Sequence, residues 1–252
     1  MSFIVTVYVN EGIVMASDSR ISLTSKKLVN DGSDGKPVVI TESLDYFSDT
    51  AYKTFLMDEK IGISFCGNAT INNEPIAGYI ESFIREHKGC NVSDVPQKIR
   101  EYFHTLEPNK STTFFVAGYE TNNTGTKQKV FRVDTIDLEA SSIDECDTSS
   151  PCAIWDGERA VASRLYSELY IKEVDDNGKE IYTRHKKHDL ALSHWTLQDA
   201  IEFAEFTISA TINSMKFQKC QKTVGGPIDI LVLKPEGASW IRRKELHAAD
   251  SN

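Results

Sequence analysis

Ser2 is the residue from which chemistry can start. Removal of an initiator Met ahead of so small a residue leaves Ser2 with a hydroxyl and a free α-amine on one carbon. An α-amine titrates at about 7.7–8.0, so near pH 7 a fraction is neutral and able to take the hydroxyl proton. Nucleophile and base then reside on one residue. Sixteen residues further on stands Ser17-Asp18-Ser19-Arg20, a cluster of hydroxyls and opposite charges at the end of an apolar run. An amide or ester hydrolase built this way needs two more things: a cation that favours the alkoxide and N–H donors for the oxyanion.

The elements that position Ser2 follow from alternation. Ile4, Thr6 and Tyr8 interleave with Val5, Val7 and Val9, Asn10-Glu11-Gly12 reads as a turn with Gly12 at positive φ, and Ile13–Ala16 makes the second strand of a hairpin. With no signal peptide read ahead of it, the terminus is expected to ride on a rigid strand. Lys53 to Met57 and Ile61 to Cys66 give a second hairpin that ends at Gly67.

The piece from Ser2 to Arg20 resembles, without a gap, the start of mature proteasome β-type subunits, members of the N-terminal-nucleophile hydrolases. In that family a nucleophilic Thr opens the first strand and Asp-Ser-Arg closes the second, so the resemblance puts Ser2 on the nucleophile position. A family Lys opens the third strand and a Gly fourteen residues later offers its N–H to the active site; Lys53 and Gly67 stand at that separation. The resemblance therefore implies Ser2, Asp18, Lys53 and Gly67 as catalytic, with Arg20, Gly225 and Gly226 in support. Two positions depart. Where the family keeps an Asp and a Ser before its C-terminal Gly-Gly, this chain has Gln221 and Val224, and the small Ser-containing turn before the third helix is Trp155-Asp156-Gly157. Asp156 is the residue expected to contact the α-amine in their place.

The rest of the chain is consistent with one domain over residues 1–252, with insertions at about 21–52 and 171–195 relative to the family. The first insertion reads as a long loop with a short strand at Val38–Thr41. Val161, Leu165 and Leu169 align on a third helix, Asn177-Gly178 marks a tight hairpin turn, and Thr196-Leu-Gln-Asp199 caps a fourth helix with Ile201, Ala204, Ile208, Ile212 and Met215 on one face. Ser93 is read as the cap of the second helix, which carries Val95, Ile99 and Phe103. Strands, two helices, strands, two helices, strands: with the resemblance, this order implies an α+β four-layer αββα sandwich.

Composition bounds the partners. A net charge of −9 over 252 residues leaves no basic excess for nucleic acid or an anionic membrane. Five cysteines without a secretory signal fit free thiols in a reducing cytoplasm. His185-Lys186-Lys187-His188 lacks further ligands at metal spacing, and no nucleotide-binding or zinc-protease motif is present, so no cofactor and no metal are expected. The expected function is cleavage of a peptide or small amide through an acyl-enzyme on Ser2. The alternative is an inactive subunit with an assembly role. Family members form rings, which makes a homo-oligomer, ring or smaller, the expected assembly.

Overall fold

The computed structural model describes residues 2–30, 39–123, 125–136, 142–175, 177–185 and 189–246. In chain order the strands are β1 (Phe3–Val9), β2 (Gly12–Ser17), β3 (Ile21–Asn30), β4 (Val39–Ser48), β5 (Thr54–Met57), β6 (Ile61–Gly67), β7 (Thr70–Ile71) and β8 (Glu74–Pro75). Helices α1 (Ile76–Glu86) and α2 (Val95–Leu106) follow, then β9 (Thr112–Asn122), β10 (Gly125–Asp134), β11 (Ile143–Glu145) and β12 (Cys152–Gly157). Helix α3 (Ala160–Tyr166), β13 (Leu169–Val174), β14 (Glu180–His185), helix α4 (Leu197–Phe217), β15 (Asp229–Lys234) and β16 (Gly237–Arg242) complete the chain.

Two antiparallel five-stranded sheets carry the fold, in the orders β12-β1-β2-β15-β16 and β11-β10-β9-β6-β5. The period of two sorts their side chains into three cores. Phe3, Val5, Val7, Val14, Ala16, Ile230 and Val232 pack with Ala162 of α3 and Ala200, Ala204 and Ile208 of α4. Their neighbours Ile4, Tyr8, Ile13, Met15, Leu231 and Leu233 meet Phe115, Ala117 and Val130 of the second sheet. The outer face of that sheet, Ile63, Phe65, Phe114, Val116 and Val133, packs with Ile80 and Phe83 of α1 and Ile99 and Phe103 of α2. Strands buried on both faces read as continuous apolar runs, which is why β1 and β2 are buried throughout.

At Gly62 side chains of the first sheet pack directly against the backbone of the second. A Cβ there would stand 2.3 Å from Met15 Sδ and 3.2 Å from Leu233 Cδ1. Gly62→Ala is therefore expected to cost about 1–3 kcal/mol by overpacking. Urea unfolding of Gly62→Ala, Met15→Ala and the double variant checks this, and the double is expected to be more stable than the sum of the singles implies.

Several readings change. Residues 21–48 are not a loop with one short strand: β3 and β4 form a ten-residue-strand hairpin, because Ile21-Ser-Leu-Thr and Phe47 belong to β-forming stretches that pair with each other. The Asp31–Gly35 turn cluster lies outside the described residues, as do Lys186–His188. Gly12 sits inside β2, paired with Val9, and not at positive φ; its Cβ position is closed instead by Leu233 O at 3.0 Å. Leu169 opens β13 rather than extending α3, and Leu165 is exposed, so the apolar spacing there did not mark a longer helix. The hairpin around Asn177-Gly178 turns through a longer loop, with Asn177 N–H and Lys179 N–H donating to Asp175 Oδ1. Ser93 does not cap α2; its hydroxyl donates to Glu120 Oε1 at 2.8 Å and Asp94 takes the cap position. Thr196 and Asp199 do form the capping box of α4, and Thr196→Ala is expected to lower stability by about 1 kcal/mol in thermal unfolding.

Candidate active site

Asp18 organises the start of the first strand. Its Oδ1 accepts from the Phe3 N–H at 2.9 Å and from Lys53 Nζ at 2.7 Å. Its Oδ2 accepts from the N–H groups of Arg20 at 3.1 Å and Gly225 at 3.0 Å. One carboxylate thus ties the end of β2 to the first peptide bond of β1, the residue before β5 and the loop before β15. Asp18 and Lys53 are both 0 % exposed. Taking two charges out of water costs several kcal/mol each, and only such complete hydrogen bonding offsets it. Lys53 Nζ also donates to Arg20 O at 2.5 Å. Burial pushes the Lys53 ammonium below the ordinary lysine range, while Asp18 works in the opposite direction. Because Lys53 Nζ and the Ser2–Phe3 peptide N–H share one oxygen, the ammonium lies next to the Ser2 peptide bond.

Ser2 is 2 % exposed and is wrapped by the turn after β12. Ser2 O accepts from Glu158 N–H at 2.8 Å, and a Cβ on Gly157, whose φ is +97°, would stand 1.9 Å from Ser2 O. Only glycine permits this approach. Asp156 lies opposite Ile4 in the β1–β12 register and so faces the space between the sheets. Arg132 donates to its Oδ2 from Nε at 3.1 Å and from the guanidinium terminus at 3.0 Å, and Gly157 N–H donates to Oδ1 at 2.7 Å.

Arg20 turns the other way. It grips Asp49 with two hydrogen bonds of 2.6 and 2.7 Å, donates to Lys222 O, and lies on Gly225, where a Cβ would stand 2.6 Å from its Cζ. Gly226, at φ +75°, packs on Asp49 and Ser19. Ser19 Oγ donates to Pro227 O at 2.6 Å. Gly225 and Gly226 are thereby fitted to Asp18-Ser19-Arg20, while Val224 is buried among the helix-side apolar residues. Thr223, one residue earlier, holds a buried hydroxyl with no hydrogen-bond partner among the described residues.

Gly67 ends β6 at φ +106°. Phe65 N–H donates to Lys53 O, and by the two-residue repeat Gly67 N–H faces the same edge, beyond the start of β5. A cleft of about 430 Å³ opens beside it, lined by Ser22, Leu23, Asn68, Ala69, Thr70 and Asn73. A larger cleft, about 820 Å³ around Gln128 and Cys146, includes Asn10 and so lies at the turn end of the first hairpin, away from Ser2. Asp49, Arg132 and Thr223 carry no periodic signal in the chain. Arg132 interrupts an apolar strand between Phe131 and Val133, the one trace of its partnership with Asp156.

The two facing sheets with their helices make a proteasome-like fold. Among solved structures the chain is similar to a mutant of Anbu from Hyphomicrobium sp. strain MC1, at 15% identity and a TM-score of 0.57, over 97% of this chain and 86% of that one. At this identity the likeness shows the fold alone. No family model matches the chain, and no curated protein matches it. Among the described residues no helix is long and apolar enough to cross a membrane, and no cluster of three or more His, Cys, Asp or Glu is placed to hold a metal.

Proposed function

We propose that the chain is an N-terminal-nucleophile hydrolase of peptides or small amides, folded as a four-layer αββα sandwich. The observation that carries this reading is the fully buried Lys53–Asp18 pair held against the Ser2–Phe3 peptide bond. A buried ion pair is a poor way to gain stability, and a cation beside an N-terminal serine is what an alkoxide requires. Once Met1 is removed, the α-amine of Ser2 takes the hydroxyl proton, and Ser2 Oγ attacks the carbonyl carbon of the substrate. Lys53 stabilises the developing alkoxide, and Gly67 N–H donates to the oxyanion. The tetrahedral intermediate collapses with loss of the amine, protonated from the α-ammonium, and water then hydrolyses the ester. In this reading Asp156 orients the α-amine, with its carboxylate held by Arg132. The cleft beside Gly67 takes the side chain on the acyl side of the scissile bond. A cytoplasmic homo-oligomer is the proposed setting.

A second reading, an inactive subunit with an assembly or binding role, is favoured by Asp156 itself, since Arg132 and the Gly157 N–H already engage both of its oxygens.

Intact mass of the purified protein before and after treatment with a β-lactone separates the two. The first reading expects loss of Met1 and a single adduct that maps to Ser2 and vanishes in Ser2→Ala. Retained Met1, or a free Ser2 left unlabelled, decides for the second. Cys66 is expected to stay unmodified in the same digest, because burial pushes its thiol well above the ordinary range, while iodoacetamide labels exposed Cys220.

A further inference from the structure

A second buried Lys-Asp pair lies behind the first. Asp229 opens β15 directly opposite Ser17 at the end of β2, and both side chains face the second sheet by strand alternation. Ser17 Oγ accepts from Thr54 Oγ1 at 2.8 Å, which brings the residue after Lys53 against the same spot. Lys244, beyond the last strand, donates to Asp229 from its backbone N–H at 2.8 Å and from its ammonium. Asp229 is 0 % exposed and the Lys244 side chain 5 %.

Lys244 is also fastened to the residue before Lys53. Tyr52 OH donates to Lys244 O at 3.2 Å, and the Lys244 ammonium stands 4.4 Å from the centre of the Tyr52 ring. Arg243 covers the same ring at 5.0 Å. The segment after β16 is thus strapped over Tyr52, the neighbour of Lys53, by a hydrogen bond and two cation–π contacts, and pinned to Asp229 by the buried ion pair. Nothing in the hydrolysis steps above uses this pair, and a second buried lysine near Lys53 adds a like charge that Asp229 offsets.

We propose that Lys244 and Asp229 are positioning residues for the nucleophile site, a charge clamp that holds Lys53 in place and sets its proton affinity. The proposal rests on the N-terminal-nucleophile reading for its purpose, though not for its measurement. Among the described residues, the charged and titratable groups around Lys53 are Asp18 just after β2, Cys66 on β6, Asp49 with its partner Arg20, and Lys244 with its partner Asp229. Lys244 and Asp229 can be neutralised without removing any hydrogen-bond partner of Asp18. Their charges act on Lys53 with opposite sign. Losing the Lys244 cation makes protonation of Lys53 easier; losing the Asp229 anion makes it harder.

The test is a pH titration of Lys53 by NMR in protein labelled with ¹³C-lysine, the Lys53 signal being assigned by its loss in Lys53→Met. Lys244→Met is expected to raise the Lys53 midpoint by about half a pH unit or more, and Asp229→Asn to lower it by a similar amount. Lys244→Arg, which keeps the cation, is expected to stay near the wild type. Shifts of one sign in both variants, or none in either, overturn the clamp, since a merely structural contact has no reason to produce opposed shifts. Should Lys244→Met fail to fold, Asp229→Asn decides alone: its midpoint must fall. The pH profile of β-lactone labelling at Ser2 is run beside the titration. Wild-type protein that shows the opposed NMR shifts among its variants but no label on Ser2 keeps the clamp and rejects the nucleophile.

Discussion

Lys53→Met is expected to reduce β-lactone labelling of Ser2 by about a thousand-fold or more, the scale on which single members of a catalytic unit act. The same change should destabilise the protein by about 3–5 kcal/mol, because it leaves Asp18 charged and buried without its cation. For a chain of this size that lowers Tm by roughly 6–20 °C. Asp18 keeps three backbone N–H donors, those of Phe3, Arg20 and Gly225, which favours the low end of that range. The double variant Lys53→Met/Asp18→Asn separates chemistry from folding. Removing both charges should return much of the lost stability, as replacement of whole buried pairs often does, and none of the labelling. Calorimetry and labelling kinetics on the four proteins check both. Recovery of labelling in the double variant would falsify a chemical role for Lys53.

Gly157→Ala is the second large effect. A methyl group cannot stand 1.9 Å from Ser2 O, and an alanine at φ +97° is strained whatever the space. Either the turn after β12 or the start of β1 must move. The end of β12 carries Asp156, and the Glu158 N–H just after it donates to Ser2 O, so the displacement falls on Ser2. A shift of about 1 Å at a reacting group costs about a hundred-fold in rate, and the backbone strain adds about 1–3 kcal/mol. Labelling kinetics are expected to fall further than the loss of stability alone implies. A variant that labels as fast as wild type would show that Ser2 is not held by this turn.

Much of this was legible in the chain because it is local. The alternation from Phe3 to Ala16 and the capping box at Thr196 are properties of neighbouring residues, and the proteasome-like fold agrees with the resemblance carried by the spacings from Ser2 to Asp18 and from Lys53 to Gly67. What misled was also local. Val161, Leu165 and Leu169 share a helical spacing, but the helix stops at Tyr166 and the chain turns into β13. The polar stretch after Arg20 looked structureless because the evidence for β3 is β4, a partner nearly twenty residues away, and cross-strand pairing has no signature within one strand.

By itself the sequence determined most of the strands and helices, since periodicity acts over a few residues at a time, and the resemblance it carries pointed to Ser2, Asp18, Lys53 and Gly67. Only the tertiary structure decided which charges meet. Asp18 with Lys53, Asp156 with Arg132, Arg20 with Asp49 and Asp229 with Lys244 are separated by 15 to 35 residues along the chain and joined through the folded sheets. The reason is physical: a charge leaves water only where a particular partner and a complete set of hydrogen bonds await it, and that place exists once the two sheets have closed on each other.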